Sequence, residues 1–536
     1  MAEPDDHHDT ALDDEAPGPP ISVPDSGDTG EGGKLKMIIQ LVKKCLGVKD
    51  IAAMRLSLPA SLLEPVPNLE YWNYLDRPDY FVSINDSDDP FIRMLSVLRF
   101  TFTKDLKFVV ASTRAFASLQ HGKVCKPYNS VLGEHFRAHW DVSPVPFAVD
   151  EEPSSHRASE SASIASGKSS RSTASSARKP TSTSTAATSI DTGAVRVVFL
   201  TEQVSHHPPV SAYFASCPSR HIDMAGIDQI SAKVSGTTLR VSPGHFNKGI
   251  YVSLTGGPGA GERYHITHPV AAVNGILRGS FYVTISESTI ITCEGGRPGH
   301  KFRIIVEYKE ESWLGRAHFL LEGVIHSVFE SDANRCAEWT KIKHVPKDRV
   351  VAVFDGSWRG NIRWKRVGPG SYPAADDHSG VTRSTASSPS PSHAQLPTPS
   401  IRSAAASKAD IGTSEEDWTT LVDLATLSVM PKTVRPLDRQ HPRESRKLWE
   451  TVTENLVKKE FSEATKEKVN IEQRQRDEAA ERKRKGIEFV PRYFDNNLDD
   501  GFVGLTADGR AAVEEELKED SSYCIEGIDV AANLAA

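Results

Sequence analysis

The stretch Glu202-Gln203-Val204-Ser205-His206-His207-Pro208-Pro209 decides how the rest of the chain is read. Neighbouring residues on a strand point to opposite faces, so two consecutive histidines can serve one site only if the backbone turns there. Pro208 and Pro209 supply such a turn, and on its residues alone the octapeptide is an exposed loop. A zinc site is disfavoured, because no third ligand of Cys, His or Asp type stands at a recognisable spacing. A hydrolase with Ser205 as nucleophile and His206 or His207 as base is disfavoured as well. Serine and histidine are consecutive, no G-x-S-x-G elbow surrounds Ser205, and no orienting carboxylate is identifiable.

Outward from this stretch, the hydrophobic period from Val195 to about Val367 is two. Phe302, Ile304, Val306 and Tyr308 alternate with Lys301, Arg303 and Glu307, and Phe281, Val283 and Ile285 do likewise between turn signals. Many short strands with no helix-length segment between them predict a meandering antiparallel sheet or barrel. Helices flank it on both sides. Met94, Leu95, Val97, Leu98 and Phe102 predict helix within Leu75 to Phe108, entered through the Asp-rich Asn85 to Pro90. Residues 443 to 485 carry the stripe Leu448, Trp449, Val452, Leu456 and Phe461, with a stop at Gly486. Near the N-terminus, Leu35, Ile38, Ile39, Val42, Cys45 and Leu46 fall at helical spacing beside Lys34, Lys36, Lys43, Lys44 and Lys49. This short basic amphipathic helix is either a terminal helix packed on a core or a lid that meets membrane surfaces.

Three stretches are too polar to fold: the acidic residues 1–33, the Ser-rich 151–194, and 370–415, where proline joins the same bias. The 1–33 tail has ten Asp or Glu and no Lys or Arg, so of the net charge of -8 it supplies -10 and the remainder sums to +2. The near-neutral remainder gives no bulk attraction for nucleic acid. The six cysteines show no C-x-x-C pair, no signal-peptide layout opens the chain, and no apolar run reaches the length of a membrane span. A reducing cytosolic setting with peripheral membrane contact follows. No cofactor and no metal are implied, and no repeat of 20 to 50 residues is found.

The octapeptide is identical to the signature of the oxysterol-binding protein family of lipid-exchange proteins. Lys126-Pro127-Tyr128-Asn129-Ser130-Val131-Leu132-Gly133-Glu134 resembles the family's K-P-x-N-P-x-L-G-E element, with Ser130 in place of the usual proline. Arg435-Pro436-Leu437 through His441-Pro442 and Glu444-Ser445-Arg446 resembles its third conserved block. The resemblance covers about residues 34–505. It implies an α+β, mainly β, fold: a large, nearly closed antiparallel β-barrel around an apolar lipid tunnel, with an N-terminal lid (34–50) and helices before and after the barrel. The Ser-rich stretches are then insertions in one domain, and 506–536 a C-terminal tail.

By the same resemblance, the headgroup of phosphatidylinositol 4-phosphate is held at the tunnel mouth by Lys126, Asn129, His206, His207, Lys468, Glu472 and Arg476. A phosphomonoester suits such donors, since ammonium and guanidinium groups give charge-assisted hydrogen bonds and imidazoles add directional ones. Residues 468, 472 and 476 share one helix face, which by spacing alone is a solvated ladder. The exchanged cargo is sterol or phosphatidylserine. Leu58-Pro59-Ala60-Ser61-Leu62-Leu63-Glu64 keeps part of the L-P-T-F-I-L-E element of phosphatidylserine carriers and lacks its Thr-Phe pair, so sterol comes first. Leu35, Ile38, Ile39, Val42, Leu58 and Leu63 are the expected lid and mouth residues. The expected protein is a non-enzymatic, monomeric carrier in the cytosol, with transient contact with anionic membrane surfaces, including endoplasmic reticulum contact sites. A non-transporting lipid sensor or scaffold is the alternative.

Overall fold

The computed structural model describes residues 21–22, 31–54, 56–109, 126–147, 193–236, 238–275, 282–299, 301–309, 318–332, 335–368, 418–521 and 525–526. The expectations for 151–192 and 370–415, for Phe281, and for most of 1–33 lie outside these residues.

The period-two segments form one fourteen-stranded sheet. Its hydrogen-bonded order begins at Thr419–Asp423 and runs back through Asn361–Arg366, Val350–Ser357, Leu320–Val328 and Lys301–Tyr308 to Val195–His206 and His135–Val142. The far edge is Thr433–Val434 with Ile525–Glu526, and the two edges do not bond to each other, so the sheet is not closed by hydrogen bonds. Every described pairing between its strands is antiparallel, as expected for hairpin-linked neighbours. The chain leaves it twice to build a four-stranded sheet of Ile230–Ser235, Thr238–Pro243, Val270–Asn274 and Tyr282–Ser286.

One face of the large sheet converges on the helix Pro90–Thr103. Phe136, Phe199, Ile250, Ile304, Phe354 and Leu421, from six strands, share a single buried cluster with Phe91, Leu95 and Leu98 of that helix. Phe91 meets Phe302 at 5.5 Å and Trp364 at 5.7 Å. Each such side chain contributes roughly 1.5–3 kcal/mol by leaving water, which makes the central helix the main organiser of the sheet. Asp89 caps it by accepting from Phe91 N at 2.8 Å, and Pro90 holds the first turn. The expected helix is thus confined to Pro90–Thr103, preceded by the separate turn Pro78–Val82.

The outer face is covered as well, which hides the simple alternation. In Lys301–Tyr308, Arg303 and Ile305 are buried along with Phe302 and Ile304, because Trp339, Val345 and Val350 lie over them and Arg303 Nη1 donates to the Cys336 and Trp339 carbonyls, each at 2.7 Å. Val198, Leu200 and Val204 are covered by Tyr493, Phe494, Leu498 and the helix Ala507–Leu517. That helix lies in the segment read from sequence as a tail. It is fixed by buried charge: Arg435 meets Glu516 at 2.7 Å, and His139 Nδ1 meets the same carboxylate at 2.7 Å.

The helical stripe of residues 443–485 is three helices, Ser445–Leu448, Glu450–Val457 and Phe461–Lys485, the first two separated at Trp449 and the last two where Lys459 takes φ 62°. The last ends at Gly486 with φ 61°, whose N–H donates to Lys483 O while Ile487 N–H donates to Arg482 O. Among the described residues no helix is long and apolar enough to cross a membrane.

Candidate functional site at the sheet rim

The signature hairpin turns at the residues expected. His206 ends one strand, Pro209 begins the next and pairs with it, and His207-Pro208 form the turn between them. Both imidazoles are half-buried, with ring centroids 4.5 Å apart at 65°. A register shift between Gln203 and Ser205 rotates the strand end, and Ser205 Oγ donates to Pro208 O at 2.8 Å, so the serine hydroxyl is spent on the turn.

The first block is hydrogen-bonded to this strand. Gly133 N donates to Gln203 O at 2.9 Å, and Gln203 N donates to Glu134 O at 2.8 Å. Gly133 takes φ 75°, a conformation glycine adopts without strain. Upstream, Lys126 pairs with Leu63 in a short parallel bridge, and its Nζ donates to Asn129 Oδ1 at 2.7 Å and to Pro127 O at 2.8 Å. Asn129 itself is exposed. Burial, with Lys468 beside it, pushes the Lys126 ammonium down to about 8, against the pull of Glu472.

Lys468 is 4% exposed on the helix Phe461–Lys485 and meets Glu472 at 2.7 Å. A buried ammonium one turn from its carboxylate is unlike the solvated ladder that spacing alone suggests. Arg476, one turn further, is exposed, and its Nε and Nη2 donate to Gln473 Oε1 at 3.0 and 2.8 Å. The structure therefore joins Lys126 to Asn129 and Lys468 to Glu472, and turns Arg476 along its own helix.

The expected mouth segment docks on the same helix. Ala60 N donates to Thr465 Oγ1 at 3.3 Å, and Leu58 and Leu63 are buried in one cluster with Tyr128, Trp449 and Ala464. Thr465 was not singled out from sequence, since a threonine within a charged helix carries no signal of its own. Burial pushes the Glu64 carboxyl up to about 7. The basic helix, Glu31–Lys44, lies on the four-stranded sheet. Met37, Ile38 and Val42 are buried with Ala232 and Val234, Leu35 is half-buried against them, and Leu41 touches both this cluster and the mouth cluster. Ile39 is half-buried outside that contact, and Met37 holds the inner position not named from the pattern. Asp50 Oδ1 accepts from Ala232 N at 2.9 Å, tying the end of this segment to the sheet.

Several motif residues are structural. Glu134 accepts from Ser445 Oγ at 2.6 Å and from Trp449 Nε1 at 3.0 Å, Glu444 meets Arg137 at 2.6 Å, and Arg446 forks onto Glu70 at 2.9 and 2.6 Å. Burial alone would raise Glu70, but Arg446 and Lys432 hold its carboxyl at about 2. The three motif blocks are thus one buried polar lock under the rim.

Comparison with known proteins agrees with this architecture. The chain is 36% identical to Oxysterol-binding protein-like protein 1 of Schizosaccharomyces pombe, over 91% of this chain and 92% of that one. It is 26% identical to mouse Oxysterol-binding protein-related protein 9 over 88% of its length, and spans about half (48%) of that relative. Solved structures of the Osh1 ORD domain share the fold: the ergosterol complex at TM-score 0.51 and 18% identity, covering 89% of each chain, and the cholesterol complex at 0.52 and 17%, covering 96% of this chain and 94% of that one. The family profile described as Oxysterol-binding protein matches residues 37–515, and on that extent the chain belongs to the oxysterol-binding protein family.

Proposed function

We propose that this protein carries lipid between membranes, exchanging sterol for phosphatidylinositol 4-phosphate in one apolar interior, with no covalent step. The observation that carries the reading is the pair of ammonium groups at the rim. Lys126 and Lys468 come from segments more than 300 residues apart, yet Lys468 sits close enough to help lower the pKa of the Lys126 ammonium, with Asn129 bonded to Lys126 and Glu472 to Lys468. Two ammonium groups held together under burial share a single bonded carboxylate, Glu472, and a phosphomonoester would supply the remaining negative charge. Glu472 orients Lys468 and accepts inositol hydroxyls, His206 and His207 add donors from the hairpin tip, and Arg476 swings from Gln473 to the phosphate.

For the second cargo, sterol is supported by the two Osh1 ORD complexes, one with ergosterol and one with cholesterol, to which this chain is similar in fold. Phosphatidylserine is the second reading, supported by the retained Leu58, Pro59, Leu63 and Glu64. The carrier acts in the cytosol as a monomer, with the helix Glu31–Lys44 as lid over the mouth.

The deciding experiment is extraction of each lipid from liposomes by wild type and by the His206→Ala, His207→Ala double variant. Loss of phosphatidylinositol 4-phosphate extraction with sterol extraction retained is expected. Wild-type extraction by the double variant would remove the signature from the headgroup site, and uptake of phosphatidylserine but no sterol would exchange the first cargo for the second.

A further inference from the structure

The two most exposed large apolar side chains among the described residues stand three positions apart: Val490 at 73% and Ile487 at 57%. They directly follow the run Arg482-Lys483-Arg484-Lys485, which ends the helix Phe461–Lys485. Basic residues in a last helical turn answer the partial negative charge of the C-terminus, and that accounts for the run. It does not account for two aliphatic side chains left in water beside it.

Their display is fixed by the backbone. Gly486, at φ 61°, reverses the chain and lets Ile487 N–H return to Arg482 O at 3.0 Å. Phe489 is the inward anchor: its ring lies 3.3 Å from where a Cβ on Gly133 would stand, and the Arg482 guanidinium lies 5.8 Å from its centroid. With Phe489 turned in, Ile487 and Val490 project on either side of it. Val490 and Phe489 line a cleft of about 360 Å³ together with Arg443, Arg492, Gly133 and Glu202. Residues 481–492 carry five cations, Arg482, Lys483, Arg484, Lys485 and Arg492, against two carboxylates, Glu481 and Glu488, a net +3 by sequence; Arg484 and Lys485 meet Glu481, and Arg492 meets Asp508.

From this conjunction we propose that the turn Gly486–Arg492 is a docking surface for an anionic bilayer, in which Ile487 and Val490 enter the interfacial zone and the surrounding cations meet lipid phosphates. Exposed aliphatic tips ringed by cations match that interface on both counts, apolar depth and charge. An acidic protein would complement the charge and leave the aliphatic tips in water. The basic run lies away from the rim lysines, Lys485 being seventeen residues beyond Lys468, about 25 Å along the helix, while Phe489 and Val490 adjoin Gly133 and Glu202 of the motif blocks. The docking surface goes beyond the carrier reading, because bilayer attachment is measured apart from cargo extraction.

The test is co-sedimentation of the full chain with vesicles of phosphatidylcholine alone and of phosphatidylcholine with phosphatidylserine. Two double variants are compared with wild type, Ile487→Asp with Val490→Asp, and Lys483→Glu with Lys485→Glu, each checked by thermal melting. The expected result is binding of wild type to the anionic vesicles only, weakened about tenfold or more by either variant, with phosphatidylinositol 4-phosphate extraction per bound protein unchanged. A conservative double variant, Ile487→Leu with Val490→Leu, should keep binding. Wild-type binding by both disrupting variants, or no binding of wild type to anionic vesicles at low salt, overturns the proposal. Loss of extraction with binding retained counts against the rim site instead.

Discussion

Glu202, first residue of the octapeptide, accepts the backbone N–H of Tyr493 at 2.8 Å, and its other oxygen accepts that of Arg492 at 2.8 Å. This residue of the octapeptide is therefore a buried cap that pins residues 492–494 against the sheet. Burial raises its carboxyl while those backbone donors pull it down. Glu202→Gln replaces one acceptor by a donor facing a donor. Unfolding in urea should show a loss of about 1–3 kcal/mol, with His206 and His207 still able to support headgroup extraction.

Arg137 and Arg476 separate lock from ligand. Arg137 is buried between Glu444 and Glu515, both at 2.6 Å, so Arg137→Met strands carboxylates and should destabilise the fold by about 3–5 kcal/mol. Arg476 is exposed and bonded to Gln473. Arg476→Ala should leave stability within about 0.5 kcal/mol and weaken only phosphoinositide binding. Equal melting temperatures for the two variants would contradict this division.

If Lys126 holds the headgroup as proposed, binding should depend on pH. Its folded pKa of about 8 lies below the ordinary 10.5, so between these values the unfolded chain holds the proton more tightly than the folded one. Stability of the free protein should therefore rise with pH across that window, while phosphoinositide extraction falls as pH passes about 8. In Lys126→Met both trends should vanish. A wild-type extraction profile flat from neutral pH to the upper end of the window would show that Lys126 does not carry the headgroup charge.

Ile38 and Val42 are each 8% exposed beneath the helix Glu31–Lys44. Replacing both with Asp should free this helix from Ala232 and Val234, raising amide exchange across residues 37–45 by about tenfold or more and letting cargo leak. Deleting residues 1–30 should leave transport intact or raise membrane association, because nine of the ten tail carboxylates go with them. Equal amide protection of the helix in loaded and empty protein would make it a packed terminal helix rather than a lid.

The sequence by itself determined the elements and the family. Alternation from Val195 to Val367, the stop at Gly486 and the Pro-Pro turn after His207 are local signals, because backbone period, positive φ and a ring-locked φ act within a few residues of their cause. Three things were decided only by tertiary structure. Lys468 and Glu472 look like surface decoration in any helix, yet Lys468 is a buried ammonium paired with the half-buried Glu472, with the Leu58–Leu63 segment docked on the same helix and Lys126 of the first block beside it. The Arg435, Glu444 and Arg446 block marks the family without showing its role, and its charges are spent on Glu516, Arg137 and Glu70. The helix Ala507–Leu517 has a short, weakly apolar stripe and is held by His139 from the strand His135–Val142 and by Arg435, just past the strand Thr433–Val434. In each case burial and charge pairing depend on which residues approach from hundreds of positions away, and no local period records that.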